Sequence, residues 1–336
     1  MSESINSLRC FTQKDAVSGA LHDERIAILG YGHLGRPFAL NLRDSGVSPL
    51  VIGNNEDEYA DLAREDKFTV LPLGTAVTEA DVVLVLLPDE IIPEVFTAEI
   101  APNLKANSAI VFASGYNLGY GLIQPAQDID VLLLAPRMAG ENARQRFQNG
   151  QGFYAFISVE QDASGKAWNR LLGLADGAGI LKAGALELSA RQEADLDLLV
   201  EQTLGAVIGM GVMSAFSMGV DAGIPAEAMA LEMYMSEEME MVFRSFREVG
   251  FFAASKVHGP TALYGGYLRT MRLFQSELSE IFEETFEEIR SGDFARKFQE
   301  ERQSGYPSLT LAEAMTMEDS PQSEAEVQLR RLLTAQ

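Results

Sequence analysis

Few stretches restrict a fold as tightly as residues 25–35, Arg25-Ile-Ala-Ile-Leu-Gly-Tyr-Gly-His-Leu-Gly35. A short apolar run over 26–29 meets the spacing Gly30-x-Gly32-x-x-Gly35, and a helix-like segment follows over 36–45. Strand, glycine turn and helix in that order are the context in which this spacing binds a dinucleotide. Gly30 permits the tight turn, and Gly32 lets backbone amides approach a pyrophosphate. Gly35 lets the helix sit close on the strand with its N-terminus toward the phosphates. His33 and Leu34 lie inside the turn, where His33 is expected to touch the pyrophosphate. The same spacing occurs in glycine-rich turns of unrelated α/β proteins, so the flanking pattern has to carry the assignment.

That pattern alternates strand and helix. Residues 50–53 read as a second strand, followed by the loop Asn54-Asn-Glu-Asp-Glu58. In dinucleotide folds this loop meets the adenosine ribose, which makes Asn54, Asn55 and Glu56 candidate cofactor contacts. Carboxylates there repel a 2′-phosphate, and no Arg, Lys or Ser stands in the loop to hold one. NAD(H) is therefore expected over NADP(H). The continuous apolar run 81–87 suits a strand covered on both faces. It ends in Pro88-Asp-Glu90, with Pro88 expected beneath a nicotinamide. Further strands are expected at 68–71, 108–113, 130–135 and 152–159, with helices at 75–80 and 92–100. Together they predict a Rossmann-like, doubly wound α/β sheet with binding beyond the strand carboxyl ends.

From about residue 183 the character changes to long stretches rich in Met, Leu, Glu and Ala, with few strand signals. The expected division is a polar leader over 1–24, a nucleotide domain over 25–182, an all-α domain over 183–305 and a tail over 306–336. The tail holds a helix at 324–333. The Met cluster of the helical domain (Met210, Met213, Met229, Met233 among others) has helical spacings and reads as core or dimer interface. A net charge of −23 argues against nucleic acid and anionic membrane surfaces as partners. No apolar run is expected to span a membrane, the polar N-terminus lacks a signal-peptide core, and the single cysteine excludes a disulfide framework. These features predict a cytoplasmic protein.

Several blocks, in order, resemble one family. Gly30-Tyr-Gly-His-Leu-Gly35 leads into Ala39-Leu-Asn-Leu-Arg-Asp-Ser-Gly46. Leu86-Leu-Pro-Asp-Glu90, Glu99-Ile-Ala-Pro-Asn-Leu-Lys105, Ala135-Pro-Arg137 and Gln161-Asp-Ala-Ser-Gly-Lys166 follow, and then Asp197-Leu-Leu-Val-Glu-Gln202. Jointly they resemble ketol-acid reductoisomerase (acetohydroxyacid isomeroreductase) in its short form, over roughly residues 10–305. The resemblance implies a knotted helical domain and a homodimer, or a higher homo-oligomer, that shares active-site residues between subunits. It also implies two Mg²⁺ ions that drive an alkyl migration in an acetohydroxy acid, before a nicotinamide cofactor reduces the product.

The chain departs from the family at the positions that do this chemistry. The family's His-Gly-Phe-Asn block is Ser114-Gly115-Tyr116-Asn117 here, and a serine does not titrate near neutrality. Gly115 is assigned with the cofactor contacts. The lysine after Ala-Pro is Arg137, which cannot relay a proton but is shaped to clamp a carboxylate. Asp197 and Glu201 keep the i, i+4 spacing of a helical metal pair, and Glu232 matches the first glutamate of the partner helix. Where the second glutamate belongs stands Ser236. The adjacent Glu237 is a poor substitute, because one residue turns a helical side chain by about 100°. Gly259 and Leu263 replace a serine and a glutamate of the substrate block. His258 is a candidate proton donor, with Tyr116 and Tyr264 behind it.

The sequence thus predicts an NAD(P)-dependent oxidoreductase on this scaffold, acting on a small carboxylate-bearing substrate (a 2-keto, 2-hydroxy or imino acid). Arg137 would hold the carboxylate and Ser114 would orient the reacting atom. Asp197, Glu201 and Glu232 would bind one Mg²⁺ or the polar end of the substrate. The alternatives are a genuine ketol-acid reductoisomerase and a non-catalytic NAD(P)-binding paralogue.

Overall fold

The apolar runs become the strands of one sheet. They are β1 (Cys10–Phe11), β2 (Ile26–Leu29), β3 (Leu50–Gly53), β4 (Thr69–Leu71), β5 (Val82–Val85), β6 (Ala109–Phe112), β7 (Asp130–Pro136), β8 (Ala155–Gln161) and β9 (Ala185–Glu187). The computed structural model describes residues 8–254, 259–315 and 320–334. The strand order is β1-β9-β8-β7-β6-β5-β2-β3-β4. Strands β2 to β7 run parallel, β8 is antiparallel to β7, and β1 is antiparallel to β9. Alternate residues serve opposite faces. Ile26 and Ile28 join a core with Phe38, Leu42 and Leu171, whereas Ala27 and Leu29 join Ala76, Val77 and Phe96 on the other side. Double-sided burial is why these strands read as unbroken apolar runs rather than alternating ones. The order reverses at β2, so the crevice beyond the carboxyl ends of β2 and β5 is the topological switch point.

The chain divides into two compact units, Met1–Leu196 and Asp197–Gln336. β9 lies just beyond the boundary expected near 183 and still belongs to the sheet of the first unit. The expected leader is also part of the first unit. β1 pairs with β9, and Glu24 joins Arg170 at 3.0 Å in a buried ion pair that Arg170 extends to Asp130 at 2.8 Å. Strands of two and three residues are too short to show a period, so neither was legible.

The second unit is helical, with long members at Ala206–Asp221, Glu238–Val249, Pro260–Phe274, Leu278–Ser291 and Pro321–Thr334. The last of these is docked rather than a free tail. It buries Ala325 and Leu329, its Glu326 Oε1 accepts from Tyr234 Oη at 2.7 Å, and its Gln322 Nε2 donates to Tyr234 Oη at 2.9 Å. The expectation that no apolar run reaches membrane-spanning length does not hold. The helical run Ala190–Asp221 contains a window of mean hydropathy 1.6 that is 17 % buried, long and apolar enough by length and composition alone. Interspersed Gly and Ser soften it in the sequence. Met210, Met213 and Met241 are exposed, so these methionines are not core of the unit.

Candidate active site

At the end of β2 the backbone turns at Gly30 with φ 94°, where a Cβ would lie 2.6 Å from the Leu86 carbonyl oxygen. A Cβ at Gly35 would collide with the Gly30 carbonyl oxygen, so the helix Gly35–Asp44 can start this close to the strand only with glycine there. Gly32 instead faces open space. The helix has no side-chain N-cap; Arg36 N–H donates to the Gly32 carbonyl at 3.2 Å and Pro37 has no N–H, which leaves the Gly35 N–H for an anion. His33 and Leu34 line the same cleft, and the His33 ring packs against Gly140 at the start of the helix Gly140–Gln148. The turn is therefore braced from across the cleft.

The cleft has a volume of about 580 Å³ and runs over the carboxyl ends of β3, β2, β5 and β6. That is the size and place of a ligand site in an open α/β sheet. At one end stand Asn54 and Asn55, as the sequence implies. Glu56 is not there. Its carboxylate grips Arg64 at 2.6 and 2.8 Å, and Arg64 also reaches Asp61 at 3.0 Å. The acid that lines the cleft is Asp57. It caps the helix Glu58–Glu65 through the Tyr59 and Ala60 amides, both at 3.0 Å, and accepts from Asn54 Nδ2 at 2.7 Å. An Asp directly before a helix is an N-cap signal, and this could have picked Asp57 over Glu56.

At the other end Pro88 lines the cleft with Asp89 and Ser114. Ser114 Oγ donates to Asp89 Oδ2 at 3.0 Å and accepts from the Tyr116 amide at 3.2 Å. Asn117 Nδ2 donates to Asp89 Oδ1 and to its carbonyl, each at 3.0 Å. Tyr116 Oη is buried with no hydrogen-bond partner among the described residues. Burial, and then the charge of Asp89, pushes its phenol up to about 12, so it stays protonated at neutral pH. The second candidate tyrosine, Tyr264, is exposed in the second unit.

Gly115 does not line the cleft. Its amide donates to Glu193 Oε2 at 2.7 Å, and a Cβ there would collide with the Ala190 carbonyl oxygen. It is glycine for packing against the helix Ala190–Val200, not for a ligand. Arg137 Nη2 donates to the other oxygen of Glu193 at 2.6 Å, and its guanidinium lies 5.1 Å from the centre of the Phe156 ring. Glu193 is 1 % exposed and Arg137 27 %. The arginine expected to clamp a substrate carboxylate thus already holds one of the protein's own. Sequence reasoning missed Glu193, because one buried glutamate in a charged helix carries no periodic signal.

The candidate metal ligands lie in the second unit. Asp197 is helical, Glu201 opens the π-turn Glu201–Gly205, and Glu232 lies in a second π-turn, Leu231–Met235. Their oxygen donors suit Mg²⁺. Among the described residues no group of three His, Cys, Asp or Glu side chains gathers to hold an ion. The rotation that set Glu237 aside does not apply either. The π-turn that holds Glu232 ends at Met235 with Ser236 as its cap, and Glu237 sits beyond it in the left-handed region at φ 65°. No helical repeat therefore relates Glu237 to Glu232. Gly259 precedes the helix Pro260–Phe274 as its N-cap residue, and Leu263 is exposed on that helix. His258 lies outside the described residues.

Comparison with known proteins places two domain families end to end on the chain. The acetohydroxy acid isomeroreductase NADPH-binding domain matches residues 20–184, and the ketol-acid reductoisomerase C-terminal domain matches residues 191–334. A protein of Saccharolobus solfataricus, provisionally named ketol-acid reductoisomerase 3, is 36 % identical over 96 % of this chain and 97 % of its own length. The structure of an NADH-preferring ketol-acid reductoisomerase from an uncultured archaean superposes with a TM-score of 0.89 at 30 % identity, covering 96 % of this chain and 99 % of that one. A semialdehyde dehydrogenase NAD-binding protein from Cupriavidus necator shares only the fold, with a TM-score of 0.59 at 20 % identity over 80 % of this chain and 99 % of that one.

Proposed function

The chain belongs to the ketol-acid reductoisomerase family, and from that premise we propose that it is an NADH-preferring oxidoreductase of small carboxylate-bearing substrates that has left the alkyl migration behind. Its substrates would be 2-keto, 2-hydroxy or imino acids, handled in the cytoplasm. The glycine turn and the start of the helix Gly35–Asp44 would hold the pyrophosphate, Asn54, Asn55 and Asp57 the adenosine ribose, and Pro88 and Ser114 the nicotinamide end. When bound, the cofactor supplies or takes a hydride. Asp57 supports NADH, because a 2′-phosphate would bring negative charge onto its carboxylate. Arg64, a cation near the loop, is engaged by Glu56 and Asp61.

One observation carries the reading away from isomerisation, the Arg137–Glu193 pair. Where the family has a lysine able to relay protons, this chain has a permanently charged guanidinium fixed by a buried carboxylate. A guanidinium offers donors on more than one edge, so Arg137 remains the candidate for the substrate carboxylate. We assign the exposed apolar side chains of Ala206–Asp221 (Ile208, Met210, Met213 and Met218) to a second copy of the chain, making a homodimer.

A second reading, a genuine ketol-acid reductoisomerase, is favoured by the match of both family domains, over residues 20–184 and 191–334. Calorimetric titration with NADH and NADPH, with and without Mg²⁺, separates the two, followed by turnover of acetolactate and of simple 2-keto acids. Tight NADH binding indifferent to Mg²⁺, with reduction of 2-keto acids but not acetolactate, supports the first. Mg²⁺-linked binding with conversion of acetolactate supports the second and overturns the first.

A further inference from the structure

Ser114 has one hydroxyl proton, and the fold has already placed it. Both oxygens of Asp89 receive donors, Oδ2 from Ser114 Oγ at 3.0 Å and Oδ1 from Asn117 Nδ2 at 3.0 Å. A carboxylate only accepts, so in this pair the serine must donate. The Tyr116 amide, 3.2 Å away, takes one lone pair of Oγ. What Ser114 has left to offer the cleft it lines is a second lone pair. It therefore meets a ligand as an acceptor and not as a donor. A keto or carboxylate oxygen facing it gains nothing, whereas an N–H group would be satisfied.

The sheet says which ligand group arrives there. The glycine turn stands at the end of β2, the ribose loop at the end of β3 on one side, and Ser114 beyond β6 on the other. Strands lie about 4.8 Å apart, so Ser114 is about 10 Å across the cleft from the turn. A dinucleotide with its pyrophosphate on the turn and its adenosine toward β3 sends its other nucleoside toward β5 and β6.

We propose that Ser114, its polarity set by Asp89 as a positioning residue, accepts a hydrogen bond from the carboxamide N–H of the nicotinamide and so fixes which face of the ring meets substrate. This rests on the assignment of the cleft to a nicotinamide dinucleotide. A 2-keto acid has no donor at its reacting end to compete for that lone pair, whereas a 2-hydroxy or imino acid carries an O–H or N–H, so the test uses the dinucleotide alone. The proposal narrows the role that the sequence gave Ser114, because a hydroxyl held as a donor by Asp89 cannot also donate to a substrate carbonyl.

The test is calorimetric binding of NADH and of reduced 3-acetylpyridine adenine dinucleotide, in which a methyl group replaces the carboxamide NH₂. Full-length wild type, Ser114→Ala, Ser114→Thr and Asp89→Asn are compared. Wild type should prefer NADH, and the part of that preference lost in Ser114→Ala should be about three- to tenfold, the worth of one hydrogen bond. Ser114→Thr keeps the hydroxyl and should keep the preference. Asp89→Asn should lose it, since an amide can donate to Oγ and turn the serine proton into the cleft. The readout is the ratio of the two affinities, which a general loosening of the loop would not shift. If wild type binds both dinucleotides and Ser114→Ala keeps the wild-type ratio, the Ser114 assignment is wrong and the cofactor reading stands. If wild type binds neither, the cofactor reading fails and takes this assignment with it.

Discussion

Replacing Glu193 by Gln tests whether the Arg137–Glu193 pair is the joint between the end of β7, the loop after β6 and the helix Ala190–Val200. The carboxylate receives Arg137 on one oxygen at 2.6 Å and the Gly115 amide on the other at 2.7 Å. Glutamine has the same shape but only one acceptor oxygen, so whichever way its amide turns, an NH₂ faces an N–H. The guanidinium also loses the negative charge of Glu193. Breaking one side of a buried ion pair costs about 3–5 kcal/mol, and the 27 % exposure of Arg137 allows some hydration, which favours the lower end. For the unit Met1–Leu196, at roughly 2–4 °C per kcal/mol, a loss of about 3 kcal/mol lowers the melting temperature by roughly 6–12 °C. Arg137→Ala should cost more, because it strands the less hydrated partner. Converting both together, Arg137→Met with Glu193→Leu, should recover most of the loss, since no charge is then left buried without a counter-ion. Calorimetric melting of the three variants is the assay. A Glu193→Gln melting point within about 2 °C of wild type, or a double variant no more stable than either single one, would refute the joint.

Glu56→Gln should release Arg64 toward the ribose loop and raise affinity for NADPH relative to NADH by roughly two- to fivefold, a modest gain because the pair is exposed; calorimetry with both dinucleotides reads it. Asp66 is held below the usual carboxylate range chiefly by the Arg36 hydrogen bond at 2.7 Å, and also by Tyr31 at 2.9 Å. Its folded pKa is the lower one, so its contribution is complete above about pH 4 and is lost as pH falls through the folded value; urea midpoints against pH should show an acid limb that Asp66→Asn flattens. If Asp197, Glu201 and Glu232 hold Mg²⁺, Glu232→Ala should weaken its binding about tenfold or more while Ser236→Ala leaves it unchanged, read by titration calorimetry without turnover.

The sheet was legible because double-sided burial leaves a continuous apolar run, and six parallel strands were found within one or two residues of their ends. β1 and β9 left no such trace, and with them went the extent of the first unit. In the site, Gly30 and Gly35 were read correctly as to geometry, since a turn and a close approach are demands that only glycine meets there, whereas Gly32 faces open space. Gly115 looked the same in the sequence but answers to the Ala190 carbonyl oxygen. One letter cannot say whether the backbone approached is the protein's own or a ligand. Glu56 and Asp57 posed a related ambiguity, resolved only because Arg64, a helix away, reaches back to take Glu56.

The acidic positions show a further limit, because spacing arguments presuppose the helix they are applied to. Asp197 and Glu201 at i, i+4, and Ser236 in place of a glutamate, are statements about an α-helix of 3.6 residues per turn. From Asp197 to Val200 the chain is α-helical and Glu201 only opens a π-turn, so that pair keeps its spacing. Glu232 instead lies inside the π-turn Leu231–Met235, Ser236 caps it, and Glu237 has already turned into the left-handed region, so the α-helical count applied to Ser236 and Glu237 does not describe this segment. The case built on Arg137 does not depend on helical spacing. That side chain lies in the first unit, its partner Glu193 is buried, and no change of helical register restores a titratable group there. Mg²⁺ binding and acetolactate conversion are therefore separate questions for this chain, and each needs its own measurement.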